Sequence, residues 1–181
     1  MKTNTRFTAT VRLLVGPKLN IQMNSPSVRV SIVSETQAQN IQQTNQYSEA
    51  LASGEILNNS GTLEYQQATN QVSVSFRNMQ LKKIKRAEKK GTESVMDEKF
   101  ALLFQSKFQI GSGELVITAW ALSLPVVVIV HGNQEPQSWA TITWDNAFAD
   151  PTRIPFQVPD KVPWPRLATA LNTKFKAATG R

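Results

Sequence analysis

Three stretches of this chain alternate apolar and polar side chains with a period of two, and that pattern constrains the fold more than any other feature. From Arg6 to Val15, Phe7, Ala9, Val11, Leu13 and Val15 fall on one side, with Thr8, Thr10 and Arg12 on the other. Ser27 to Val33 repeats the pattern with Val28, Val30 and Ile32, and Gln71 to Met79 does so with Val72, Val74 and Phe76. Successive side chains of a strand point to opposite faces, so each stretch predicts a half-buried β-strand. Phe100 to Phe108 and Glu114 to Leu122 add two more, joined by Gly111-Ser112-Gly113, which has the turn chemistry of a hairpin. Pro125 to Val130 is short, apolar and β-branched, the pattern of a strand buried on both faces. Strands at this spacing predict a mainly β domain, a sandwich or barrel.

The segments between are less regular. Ser34 to Gly61 is rich in Gln, Asn, Ser and Thr without usable periodicity and is expected to be a long surface loop, with room for a short helix near Glu35 to Ile41. Gln137 to Phe148 is ambiguous, because Thr141-Ile142-Thr143 favours a strand while Trp139, Ile142 and Ala147 line one helical face. The clearest helix is the last. Pro165 stands near its start, Leu167, Leu171 and Phe175 follow at four-residue intervals, and Gly180 is the stop. Pro151, Pro155, Pro159, Pro163 and Pro165 crowd the approach to it, which predicts a handover from a β domain to a helical one.

Charge is concentrated in one place. Lys82 to Lys90 holds six basic residues and one acid, supplying +5 of the net +7 and leaving the remainder nearly balanced. A local positive potential of this kind suits a polyanion, although a solvated loop or an import signal has the same composition. At 181 residues the chain can bury a core without staples, and having no cysteine it lacks disulfides, thiol catalysis and thiolate metal sites. Its longest apolar run is too short to cross a bilayer, and no secretory signal follows Lys2 and Arg6, so a soluble protein is expected. The two ends read as those of a segment cut from a longer protein.

An enzyme reading has little to use. The one histidine, His131, has no Gly-x-Ser-x-Gly elbow to serve, and there is no phosphate loop, dinucleotide fingerprint or His-x-x-x-His pair. Asp97 and Glu98 beside Lys99 fit a solvated strand edge better than an acid–base pair. No cofactor or metal is called for. His131 opens a polar turn, His-Gly-Asn-Gln, at the end of the most apolar strand. It is there either as an exposed turn residue or, with Gln134, as a reader of base edges in a major groove. The four tryptophans could stack on single-stranded bases, but three fall on apolar faces, which favours packing.

A longer set of motifs carries a resemblance. Lys2-Thr-Asn-Thr-Arg-Phe7, Val11-Arg-Leu-Leu-Val15, Ser53-Gly-Glu-Ile-Leu-Asn-Asn59, Phe76-Arg-Asn-Met79 with Leu81-Lys-Lys-Ile-Lys-Arg86, Lys90-Gly-Thr-Glu-Ser-Val95, Leu122 to Gly132 and Trp144-Asp-Asn-Ala-Phe148 together resemble the STAT transcription factors, signal transducers and activators of transcription. The resemblance spans nearly the whole chain, and it is strongest to the branch answering prolactin and interleukin-4 type cytokines and to an invertebrate member.

What the resemblance implies is specific. Residues 1–150 would form an immunoglobulin-like DNA-binding domain and 151–181 the start of a helical linker domain, with Gln137 to Asp145 helical. The family, activated through cytokine receptors and their kinases, grips palindromes of TTC and GAA half-sites as a dimer. Its dimers form through SH2 and phosphotyrosine segments that this chain does not contain, so the chain alone is expected to be a weakly binding monomer. By correspondence Lys2, Arg6, Lys85 and Lys90 would touch DNA, Arg86 and Lys89 would lie near phosphates, and His131 would reach the bases with Gln134 as a lesser candidate. Other branches have asparagine at His131, a change tied to spacer preference. Lys82, Lys83, Lys85 and Arg86 could also meet an import receptor, in keeping with movement from cytoplasm to nucleus. A protein-interaction module whose basic loop binds a protein partner is the alternative.

Overall fold

The computed structural model describes residues 1–14, 25–47, 52–88, 94–110, 115–149, 156 and 158–180. Within them the alternating stretches form two antiparallel sheets. The first holds β1 (Arg6–Leu13), β6 (Gln71–Ile84) and β3 (Gly54–Leu57) in that order, with β5 (Glu64–Gln66) also on β6. The second runs β4 (Ser60–Thr62), β2 (Ser27–Ser34), β7 (Lys99–Ile110) and β8 (Leu115–Leu122), with the two-residue β9 (Val126–Val127) on β7. Val28, Val30 and Ile32 of β2 and Phe100 and Leu102 of β7 face Val72, Val74, Phe76, Met79 and Leu81 of β6 across one core. This is a sandwich closed by apolar inner faces, as expected.

β6 is longer than its alternation suggests. Val72, Val74 and Phe76 are buried, Arg77 and Asn78 are both exposed, and burial resumes at Met79 and Leu81. The phase changes because β1 is paired irregularly there, Phe7 opposite Met79 but Ala9 opposite Phe76. A second slip follows, since Glu55 pairs Lys83 while Ile56 pairs Leu81. Each bulge shifts the inward face by one residue, and the second leaves Lys82 and Lys83 exposed in succession. The start of the basic run is therefore strand rather than loop.

The stretch 34–61 is not the long loop its composition predicts. Ser34 caps α1 (Glu35–Thr44) through a reciprocal box, its backbone N–H donating to Gln37 Oε1 at 2.8 Å and its hydroxyl accepting from Gln37 N at 3.3 Å. Ala38 and Ile41 then pack with Val33, Ala101 and Leu103 on the outer side of the second sheet. β3 and β4 follow. The apolar run at 125–130 also departs from expectation, because only Val126 and Val127 join a ladder, although Val127, Val128 and Ile129 are buried. The Gly111-Ser112-Gly113 turn lies outside the described residues, but the strands on either side pair from Leu103 opposite Leu122 to Ile110 opposite Leu115.

The ambiguous segment is a helix, α2 (Glu135–Phe148), with Pro136 in its first turn. α2 docks through Asp145, which is 3% exposed and accepts from Lys99 Nζ at 2.9 Å, and through Phe148. Lys99 also reaches Glu35 at 3.4 Å, so one ammonium ties α1, α2 and β7. α3 (Trp164–Thr179) ends at Gly180 in the left-handed region and buries none of its residues. Trp139 and Trp164 are 63% and 70% exposed, so two of the four tryptophans are not the packing residues their faces suggest. Trp120 and Trp144 are half-buried, Trp144 lying edge-on to Phe148 with centroids 4.6 Å apart.

Candidate nucleic-acid interface

The basic edge is assembled from three distant pieces of chain. The N-terminal segment runs between the other two. Thr3 N–H donates to Ile129 O at 3.0 Å and Asn4 N–H to Leu81 O at 2.9 Å, while Gln80 Nε2 donates to Asn4 O at 2.7 Å. Asn4 turns the chain with a φ of 58°, a conformation asparagine tolerates. On one side of this segment lies a groove of about 640 Å³ whose lining includes Lys82, Lys83, Lys85 and Val130. On the other side Lys2 and Arg6 line a second cleft of about 610 Å³, together with Glu135 and Trp139 of α2.

The lysines differ in their freedom. Lys82 lies 3.6 Å from Glu55, and both side chains are about half exposed, so solvent screens the pair. Lys83 and Lys85 are exposed, and the Lys85 backbone N–H donates to Ser53 O, which anchors the chain as it leaves β6. Lys2 and Arg6 are exposed as well. Lys89 and Lys90 lie outside the described residues.

His131 is exposed immediately after Val130, and its position is set by its own turn. Gln134 Oε1 accepts from Val130 N–H at 2.9 Å and from His131 N–H at 3.1 Å, and Gln134 N–H donates to His131 O at 3.2 Å. The amide oxygen of Gln134 is thus spent on the backbone, and the side chain is only half exposed. As a base contact it retains its NH2 alone. Gln134 braces the loop and His131 projects from it.

Arg86 departs from the expected phosphate-neighbour and import roles. Its side chain is 19% exposed, pairing with Glu98 Oε2 at 2.8 Å, donating to Val95 O at 3.3 Å and to Val128 O at 2.8 Å. Its guanidinium carbon lies 6.0 Å from the centre of the Phe100 ring. A planar fork with this many buried acceptors points inward. Glu98 is correspondingly no solvated edge, being as buried as Arg86 and also accepting from Ala87 N–H at 3.0 Å. Sequence reasoning missed it, because nothing in the pattern separates Glu98 from its exposed neighbour Asp97.

Two family models match this chain. Residues 1–129 match the STAT protein DNA-binding domain, and residues 151–181 match the signal transducer and activator of transcription linker domain. The chain is also 60% identical, over 186 aligned positions, to the signal transducer and transcription activator of Drosophila melanogaster. That alignment takes in the whole chain but about a quarter of the relative's length, 24%.

Proposed function

The chain belongs to the STAT family, and from that premise we propose that it is the duplex-DNA-binding part of a transcription factor that recognises TTC and GAA palindromes. The observation that carries the reading is the meeting of Lys82, Lys83 and Lys85 with Val130, next to His131, across the N-terminal segment that bears Lys2 and Arg6. Loop and edge cations of this kind neutralise phosphates and release counterions, giving affinity without sequence information. His131 supplies the discrimination, because an exposed imidazole on a braced turn can bond base edges that differ from pair to pair in the major groove. Residues 1–150 act as the binding domain and 151–181 as the opening of the linker. The whole protein dimerises on activation and moves from cytoplasm to nucleus.

The test is fluorescence anisotropy with a TTC/GAA palindrome and a scrambled duplex of equal length at two salt concentrations. The expected result is salt-sensitive binding that favours the palindrome, repeated with the chain tethered as a dimer if the monomer binds both alike. No binding at low salt would sink the reading and favour a protein contact. The consecutive exposed Lys82 and Lys83 are the observation that supports an import receptor as that alternative partner.

A further inference from the structure

We propose that Arg86 and Glu98 form a clamp that sets the basic segment against the chain leading to His131, so that an acidic residue strengthens DNA binding. The inference rests on the reading of this edge as a DNA contact. It begins from what Glu98 does with its two oxygens. Oε2 takes the Arg86 guanidinium at 2.8 Å, and Oε1 takes the Ala87 backbone N–H at 3.0 Å, so one carboxylate grips both the side chain and the main chain where the basic segment starts. Arg86 in turn bonds Val95 O, on the returning arm of the same segment. Both arms are therefore tied together.

The third bond carries the clamp to the other half of the site. Arg86 Nη2 donates at 2.8 Å to Val128 O, three residues before His131. Val128 is fully buried and lies outside every strand ladder, so this guanidinium stands in for a missing ladder donor. Phe100, also fully buried, lies against the guanidinium and completes its inward setting. Lysine has one ammonium and no fork, and cannot hold Glu98, Val95 O and Val128 O at once. Arg86 and Glu98 are positioning residues, whose effect on DNA passes through Lys85 and His131.

Simple electrostatics and the clamp predict opposite signs for Glu98. Removing a carboxylate near a polyanion site should tighten binding, whereas releasing the clamp should weaken it. The experiment measures duplex affinity against salt for the wild-type chain, Arg86→Lys, Arg86→Met and Glu98→Ala, with backbone amide exchange at Ala87 and His131 as a readout independent of DNA. The clamp predicts that all three variants lose affinity on the order of tenfold, as expected where buried polar groups lose partners. It also predicts an unchanged salt slope, faster exchange at Ala87 and His131, and unaltered exchange in the cores of β2 and β7. Wild-type affinity in Arg86→Lys overturns the proposal, as does tighter binding by Glu98→Ala. So does a slope reduced by about 0.9 in Arg86→Met, the value for one lost phosphate contact. Should the wild-type chain bind no duplex, the DNA reading fails by itself, and unchanged exchange at Ala87 and His131 in the variants would separately overturn the clamp.

Discussion

Lys85 lines a groove with Val130, the residue before His131, and Lys85 and His131 differ in what their loss should do. His131→Ala removes a candidate base contact from a turn that Gln134 keeps in place, so the preference for the palindrome over a scrambled duplex should shrink by about 1 to 3 kcal/mol, read by anisotropy. Lys85→Gln removes only a charge. It should weaken both duplexes alike and lower the salt slope by about 0.9. Glu35 offers a test on stability instead. Burial raises its carboxyl above the ordinary range, Lys99 opposes the rise and Asp145 adds to it. A folded value above the unfolded one means that the folded chain holds this proton more tightly, so the contribution is favourable at acid pH and is lost as pH rises through the folded value. At neutral pH the partly desolvated carboxylate is a cost, which Glu35→Gln removes. The variant should melt on the order of 2 °C above wild type near pH 7, and the gap should close near pH 4, as followed by thermal denaturation.

Elements are held at two tight points that can be broken singly. A methyl group on Gly54 would stand 2.8 Å from Ile32 Cγ2 and closer still to Lys83 O, between β3 and β6. Backbone cannot yield there as a flexible side chain would, so Gly54→Ala should cost about 1 to 3 kcal/mol in urea denaturation. The second point is the docking of α2 by Lys99. Lys99→Met strands Asp145 as a buried charge, a change that costs about 3 to 5 kcal/mol, and adding Asp145→Asn should recover part of it. These elements were unequally legible in the sequence. β1 and β2 were plain because each keeps its phase of alternation, and the β7–β8 hairpin because two apolar runs flank a Gly-Ser-Gly sequence. β6 was read short because its bulges at Asn78 and Lys82 reset that phase, and bulges depend on the partner strand. α1 was nearly lost in a Gln- and Asn-rich stretch, since its stability comes from the Ser34 cap and the sheet beneath it rather than from its weak apolar stripe. Of the site, the lysines were visible as charge. The inward turn of Arg86 was not, because it depends on Glu98 and on Val128, 42 residues away.

Across the molecule the exposed cations lie apart from the apolar core, and the charges that are buried, Arg86 with Glu98 and Lys99 with Asp145, are paired. The inner faces of both sheets carry the core, while Lys2, Arg6, Lys82, Lys83 and Lys85 gather around one end of β6. If four or five of these meet phosphates, the logarithm of affinity should fall with the logarithm of salt at a slope of about −4, measurable over a fivefold salt range. The order in which this end comes together has its own consequence. The N-terminal segment is seated by partners at Val127 and Ile129, and Met1 bonds Val127 across 126 positions of chain. Closures that long form late, after the local hairpins. A growing polypeptide that has emerged only as far as β8 can already set Arg6 beside Gln80, at the end of β6 that carries Lys82, Lys83 and Lys85, but the partners of Met1 and Thr3 and the turn with His131 have yet to arrive. The cations thus gather before the turn that carries His131, so the means to attract a polyanion is in place before the proposed means to read one.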